Sequence, residues 1–142
     1  MVLSGMIEDC LRINNESGAD MLPTEKNADV LWQMGILAAE KGEPCLVAQV
    51  DSAPVGYTLW CELANPLGLD FERRVLHGLG TYVLPEHRRS GVAKGLRDKA
   101  EALAAALGFD KVVGVAYHEA GLMSVINRGW VGSGVHVEKV LS

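Results

Sequence analysis

The sequence predicts an α/β domain in which one mixed sheet is flanked by helices. The 142 residues, of which 49% are hydrophobic and 22% charged, suit one folded domain, and residues 1–142 are expected to form it. Stretches with helical spacing of apolar residues alternate with short runs rich in β-branched residues. Glycine and proline separate these stretches, as is typical of packed helices and strands.

Two helices are expected before the first strand. The first follows Ser4, a residue type that caps helix N-termini, and places apolar residues at helical spacing from Ile7. The second runs from about Glu25 to Lys41 and is ended by "KGEP". Next, "CLVAQV" and "VGYTLWCEL" flank "DSAP", which predicts a hairpin, and "RRVLHGLGTYVL" predicts a strand that ends before Pro85.

The second half of the chain alternates helix and strand. A long helix is expected from Val92 to Leu107, followed by the buried strand "KVVGVAY", a short helix ending at Gly129 and a final strand in "WVGSGVHVEKVL". The spacing of apolar residues in this long helix predicts that it packs on the sheet through Leu96, Ala100, Leu103 and Leu107. The same spacing predicts that Arg97, Asp98 and Glu101 face water.

The composition excludes several classes of protein. A net charge of −5 argues against a general nucleic-acid binder. The cysteines and histidines show no metal-ligand spacing, so no metal is expected, and reduced thiols suit a cytoplasmic protein. There is no signal peptide pattern and no run of about 20 apolar residues, so no membrane segment is expected.

The stretch "YVLPEHRRSGVAKGL" places a basic, glycine-containing turn between a strand and a helix. A helix N-terminus carries unpaired N–H groups and the positive end of the helix dipole, which favour an anion. Gly91 lets the backbone approach that anion, while Arg88 and Arg89 add charge and Ser90 a hydroxyl donor. The alternative is that Gly91 only eases the turn and the arginines are solvated. The phosphate-binding P-loop pattern is absent.

The same stretch resembles the acyl-CoA-binding signature of the GCN5-related N-acetyltransferases, the GNAT family. That signature is a strand ending in Val-x-Pro-x-x-Arg, then [R/Q]-x-x-G-x-[G/A] at a helix start, matched by Arg88, Gly91 and Ala93. The order of elements agrees from Cys45 to Leu141. The resemblance implies the GNAT acyltransferase fold, with acetyl-CoA as acetyl donor. It implies that the donor is bound by Tyr82, Val83, Arg88, Arg89, Ser90, Gly91, Val92, Ala93, Lys94 and His118.

By this resemblance, the backbone around Tyr82 and Val83 binds the pantetheine arm and the amides from Arg89 to Lys94 bind the pyrophosphate. The implied reaction is direct attack of a primary amine on acetyl-CoA in a ternary complex, with a small-molecule or peptide acceptor. The rival reading is a non-catalytic acyl-CoA-binding module. Val125 occupies the position at which the family often has a tyrosine that protonates the departing thiolate, and His118 the position at which it often has asparagine. A homodimer along a sheet edge is a further expectation.

His77 is the candidate general base. Counting back from Arg88, it occupies a position where some family members have a glutamate, and histidine titrates near neutral pH. Strand alternation predicts that it shares a face with Leu79, Thr81 and Val83, and the flanking glycines, Gly78 and Gly80, are expected to leave room for a substrate. Two alternatives remain open: a structural histidine, or proton relay through water by Glu72 or Glu119.

Overall fold

The fold is described by a computed structural model that covers residues 2–17, 24–63, 72–116, 119–132, 139 and 141. The element order is the predicted one as far as these residues extend, and the predicted final strand lies outside them. The helices and strands are α1 (Val2–Glu16), α2 (Glu25–Glu40), β1 (Leu46–Val50), β2 (Ala53–Glu62), β3 (Val75–Val83), α3 (Val92–Ala106), β4 (Lys111–Val113) and α4 (Glu119–Ile126).

The strands of the described residues form a four-stranded mixed sheet in the order β1-β2-β3-β4. The predicted hairpin joins β1 and β2 through Asp51 and Ser52, whose φ angles of 50° and 67° are the left-handed values that two-residue hairpin turns need. β2 and β3 are also antiparallel, whereas β3 and β4 are parallel. The parallel pairing spans only Val75 to His77 on β3. Beyond His77, therefore, β3 runs on without β4 beside it.

Helices cover both faces of this sheet and make two hydrophobic cores. On one face, α1 and α2 pack on Tyr57, Leu59 and Tyr82. On the other face, α3 packs on Trp60 and Leu76. Packing on both faces explains why β2 is an almost unbroken run of buried residues.

A β-bulge at Leu79 changes which residues of β3 share a face. Leu59 pairs with Gly80 but Trp60 pairs with Gly78, so Leu79 has no partner on β2. On the α3 side of the sheet, the Thr81 and Thr58 hydroxyl oxygens are 2.7 Å apart. The prediction that Thr81 and Val83 lie on the same face as His77 is therefore wrong, because strand alternation is interrupted by the extra residue.

Three predictions about the helices are also wrong. α1 begins at Val2, so Ser4 lies inside the helix and does not cap it. The predicted burial pattern of α3 holds at Leu96 but fails at Leu107, which is 44% exposed because it follows the last helical turn. Arg97 and Glu101, expected in water, are half-buried, because Arg97 donates to Ser124 of α4 and Glu101 accepts from Arg128 and Trp130.

No helix among the residues described is both long and apolar enough to cross a membrane.

The packing of α3 leads to a stability prediction. Leu96 is 6% exposed beneath the helix, so Leu96→Ala should lower the free energy of unfolding by about 2–5 kcal/mol in a denaturant titration. Leu107→Ala, the same change at a position 44% exposed, should cost about 1 kcal/mol or less. Equal losses for the two variants would contradict the observed orientation of α3.

Candidate active site

The edge of β3 beyond His77 carries backbone groups that pair with no other strand among the described residues. Leu84 N–H donates to Val55 of β2 at 2.8 Å, so Leu84 faces β2. In an antiparallel ladder alternate residues bond the same neighbour, so Tyr82 also faces β2. Thr81 and Val83 consequently direct their N–H and C=O groups to the opposite side. The position of Arg88 agrees, because its Nε donates to the Val83 carbonyl at 2.9 Å.

The basic turn brings the N-terminus of α3 beside this edge. A 3-10 turn, Pro85–His87, follows β3, and the chain then passes through left-handed conformations at Arg89 (φ 62°) and Gly91 (φ 87°). Gly91 is the N-cap of α3 and supplies no side-chain cap. The first bond of the helix is Gly95 N–H to Gly91 C=O at 2.9 Å. The N–H groups of Gly91 to Lys94 therefore have no acceptor inside the helix.

The strand edge and the turn line one cleft of about 240 Å³. Its walls are Val83, His87, Arg88, Arg89, Gly91, Ala93 and Lys94. A Cβ at Gly91 would meet nothing within 4 Å, so the backbone is open to the cleft at that point. The structure thus brings together a strand edge, free amides and cationic side chains.

The other predicted donor-binding residues lie elsewhere or outside the described part of the chain. The Ser90 hydroxyl donates to the His87 carbonyl, so it is engaged within the turn. The Val92 side chain lines a separate groove with Leu46. Tyr82 turns its backbone to β2, and His118 lies outside the described residues.

Tyr82 uses its side chain to join α1 to the turn. Its hydroxyl donates to the carboxylate of Asp9, which also pairs with Arg12. The hydrogen bond from Tyr82 and the guanidinium of Arg12 hold the pKa of Asp9 below its ordinary value. Burial, together with the bond to Asp9, raises the pKa of Tyr82 to about 12. The guanidinium carbon of Arg88 lies 5.3 Å from the centroid of the Tyr82 ring.

Sequence reasoning missed Asp9 and Thr81. The Asp9–Tyr82 contact joins residues 73 apart in the chain, and no local pattern signals such a contact. Thr81 could have been found, because strand alternation assigns it the same edge as Val83.

His77 is the last residue of β3 that pairs with β4, and it lies opposite Cys61 of β2. Cross-strand partners share a face, and Cys61 follows Leu59 by two residues, so His77 faces the α1–α2 side. Its Nε2 is buried and has no hydrogen-bond partner in the described part of the chain. Burial lowers the pKa of His77, which keeps the imidazole neutral at pH 7.

The expectation that both flanking glycines leave room for a substrate is wrong at Gly78, and at Gly80 it holds only for a methyl-sized group. A Cβ at Gly78 would lie 3.0 Å from the Trp60 ring, so the space beside Gly78 is filled by Trp60. A Cβ at Gly80 would have the Cys10 sulfur and the Tyr57 hydroxyl as its nearest side-chain atoms, both at 3.9 Å. These are ordinary van der Waals distances, so the space beside Gly80 on the α1 side is already lined by Cys10 and Tyr57.

The other positions considered for proton transfer are Glu72, Glu119 and Val125. Glu72 is exposed, and the side chain of Glu119 is outside the described part of the chain. Val125 of α4 is half-buried and has no titratable group. Within the described ranges there is no group of three or more histidine, cysteine or carboxylate side chains that could hold a metal ion.

Comparison with known proteins identifies this arrangement as an acetyltransferase domain. The family model described as "Acetyltransferase (GNAT) family" matches residues 7–127. The chain therefore belongs to the GNAT family, and the resemblance seen in the basic turn is confirmed. No curated protein sequence matches the chain.

Solved structures of the family share the fold. A GCN5-related N-acetyltransferase from Ralstonia eutropha JMP134 superposes with a TM-score of 0.72 at 22% identity, over 97% of this chain and 92% of that one. A ribosomal-protein-alanine N-acetyltransferase from Brucella melitensis biovar Abortus 2308 superposes with a TM-score of 0.65 at 20% identity, over 97% of this chain and 93% of that one. The aminoglycoside N-acetyltransferase AAC(6')-Iy, solved in complex with CoA, superposes with a TM-score of 0.57 at 15% identity, over 82% of this chain and 95% of that one.

The Asp9–Tyr82 contact leads to a pH prediction. Because the folded pKa of Asp9 is depressed, its carboxylate stabilises the fold above its ordinary pKa of 3.8, and this contribution is lost as pH falls through the folded value. Asp9→Asn should therefore lower the melting temperature at pH 7, and the difference from the wild type should shrink below about pH 4. Glu8→Gln, an exposed neighbour on α1, serves as control. A difference that stays constant down to pH 3 would contradict this role of Asp9.

Proposed function

We propose that the chain transfers an acetyl group from acetyl-CoA to a primary amine by direct attack in a ternary complex. The observation that carries this proposal is the cleft in which the uncapped N-terminus of α3 lies beside the edge of β3 at Val83. Acetyl-CoA would supply an activated thioester carbonyl there. The residues of the chain would bind the donor, orient it and accept the proton of the amine.

The two parts of the cleft fit the two parts of the donor. The free amides from Gly91 to Lys94 and the positive end of the α3 dipole suit a diphosphate, and Arg89 adds positive charge. The outward N–H and C=O groups of Thr81 and Val83 suit the amides of the pantetheine arm, which would add to β3 like a strand. Tyr82 is assigned to the donor site through its side chain, which lies under Arg88.

His77 is proposed as the general base. An amine attacks a thioester only in its neutral form, so a group near the reacting carbon must take its proton. Burial holds His77 in the neutral form that can accept a proton, and its Nε2 has no competing partner among the described residues.

No tyrosine among the described residues is well placed to protonate the departing thiolate. Val125 occupies the position at which the family often has one. The Tyr82 hydroxyl proton is committed to Asp9, and the pKa of Tyr82 is raised to about 12. We therefore assign this protonation to water.

The acceptor class is an amine of a small molecule or of a peptide. Both classes occur among the structural neighbours, one named a ribosomal-protein-alanine N-acetyltransferase and another an aminoglycoside N-acetyltransferase. The alternative function is a non-catalytic acyl-CoA-binding module, favoured by Val125 in place of tyrosine. Acetyl-CoA binding without turnover of any amine in a panel of peptide N-termini, polyamines and aminoglycosides would favour that alternative.

Matched substitutions at Gly91 test the anion site. Asparagine and aspartate both tolerate the left-handed conformation of Gly91 and both cap helices well, so each variant should fold. Acetyl-CoA should raise the melting temperature of the wild type and, to a smaller extent, of Gly91→Asn. Gly91→Asp should abolish the shift, because it places a carboxylate where the diphosphate binds. Pantetheine should give a far smaller shift than acetyl-CoA.

Equal shifts for acetyl-CoA and pantetheine, or equal shifts for the two Gly91 variants, would contradict the assignment.

A pH–rate profile tests His77. In the wild type, kcat/KM should fall at acid pH with a pKa below the ordinary 6.5 of histidine. His77→Gln and His77→Ala should lose about 10²–10⁴-fold in kcat/KM together with this acidic limb. Glu72→Gln, which removes the exposed alternative carboxylate, should retain both the wild-type kcat/KM and its acidic limb. If the His77 variants keep the rate and the limb, His77 is not the base.

A further inference from the structure

A series of side-chain hydrogen bonds on the α3 side of the sheet ends at Thr81. The indole Nε1 of Trp60 lies 2.7 Å from the Thr58 hydroxyl oxygen, which in turn lies 2.7 Å from the Thr81 hydroxyl oxygen. Thr58 is fully buried and Trp60 is 5% exposed, so this part of the series is closed to solvent. The two bonds therefore connect the interior of β2 to the stretch of β3 that has no β4 residue beside it.

The direction of these bonds follows from which groups can donate. An indole N–H can only donate, so Thr58 accepts from Trp60. The buried hydroxyl proton of Thr58 needs an acceptor, and the Thr81 oxygen is the one that lies within reach among the described residues. Thr58 therefore donates to Thr81. The hydroxyl proton of Thr81, which is half-buried, has no acceptor in the described part of the chain and is directed away from Thr58.

Thr81 is the polar side chain of β3 that faces the α3 side between the basic turn and His77. Val83, on the same face, lines the cleft at the start of α3. Tyr82 faces the other side of the sheet, and residues 78–80 are two glycines and a leucine. A donor that lies along this edge, with its diphosphate at α3 and its reacting carbon near His77, would place its sulfur on this stretch. The free hydroxyl proton of Thr81 is then available to that sulfur.

We propose that the Thr81 hydroxyl is a catalytic group that donates a hydrogen bond to the sulfur of the donor as it leaves as a thiolate. The inference rests on the proposed function. In the transfer a C–N bond forms and the C–S bond breaks, the electron pair of the C–S bond stays on sulfur, and the amine proton passes to His77. Water then protonates the thiolate, and the resulting hydroxide takes the proton from His77. Thr81 keeps its own proton throughout.

A hydroxyl at the end of a series of donors suits this role. Each hydrogen bond polarises the next, so the Thr81 proton is a stronger donor than that of an isolated threonine. A hydrogen bond to an anion is about twice as strong as one to a neutral atom, so the contact strengthens as charge develops on sulfur. His77 and Thr81 face opposite sides of the sheet. The base and the group that stabilises the leaving thiolate are therefore kept apart.

The experiment measures the pKa of the CoA thiol in its complex with the full chain, by the NMR signal of the methylene carbon beside sulfur in isotope-labelled CoA. The wild type should lower this pKa by about one pH unit relative to free CoA, because a hydrogen bond to a charged group favours the thiolate about tenfold or more. Thr81→Val keeps the branched shape that suits a strand and should return the pKa to near that of free CoA. Thr81→Ser keeps the hydroxyl and should retain the lowered pKa.

Thr58→Val is the matched control. It removes the acceptor of Trp60 Nε1 and should lower the melting temperature, but it leaves the Thr81 hydroxyl in place. The thiol pKa in this variant should stay closer to the wild-type value than to that of Thr81→Val. If the two valine variants raise the thiol pKa equally, the effect comes from disturbed packing and the catalytic role of Thr81 is wrong.

The remaining outcomes separate this inference from the proposed function. If CoA binds and its thiol has the same pKa in the wild type and in Thr81→Val, the role of Thr81 is overturned and the donor site stands. If the wild type does not bind CoA, the proposed function fails, and the inference fails with it.

Discussion

The short parallel pairing between β3 and β4 is the constraint on which the site depends. The two strands bond only from Val75 to His77 on β3, and β3 then continues to Val83. This separation leaves Thr81 and Val83 with backbone groups directed away from the sheet. It also lets the chain turn at Pro85–His87 and start α3 beside the same edge. A longer pairing with β4 would cover the edge and remove half of the cleft.

The bulge at Leu79 distributes the side chains of β3 between two environments. It leaves Thr81 with Thr58 on the α3 side, while His77 and Tyr82 both face α1 and α2. His77 and Tyr82, which positions Arg88, are therefore on one side of the sheet, although their offset of five positions would place them on opposite faces of a regular strand. Through Asp9 the same face is tied to α1, so the basic turn and the N-terminal helix α1 are linked by direct contacts.

Local signals in the sequence predicted most of the fold and the basic turn. The helices, the hairpin and the strand before Pro85 were predicted because each depends on periodicity or turn residues within a short stretch. The basic turn was predicted because its residues are consecutive in the chain. The bulge was not predicted, because it depends on how β3 pairs with β2. Asp9 was missed for a similar reason: its partner lies 73 residues away, and folding alone brings the two together.

If the proposed function is right, backbone amides at the start of α3 and on the edge of β3 hold the donor. Amide chemical-shift mapping with CoA addresses this directly, because it reports each N–H group separately. We expect the largest shifts at Gly91 to Lys94 and at Thr81 and Val83, with small shifts along α2. Shifts concentrated in the separate groove lined by Leu46, Val47 and Lys99, with none at Gly91 to Lys94, would contradict this donor site.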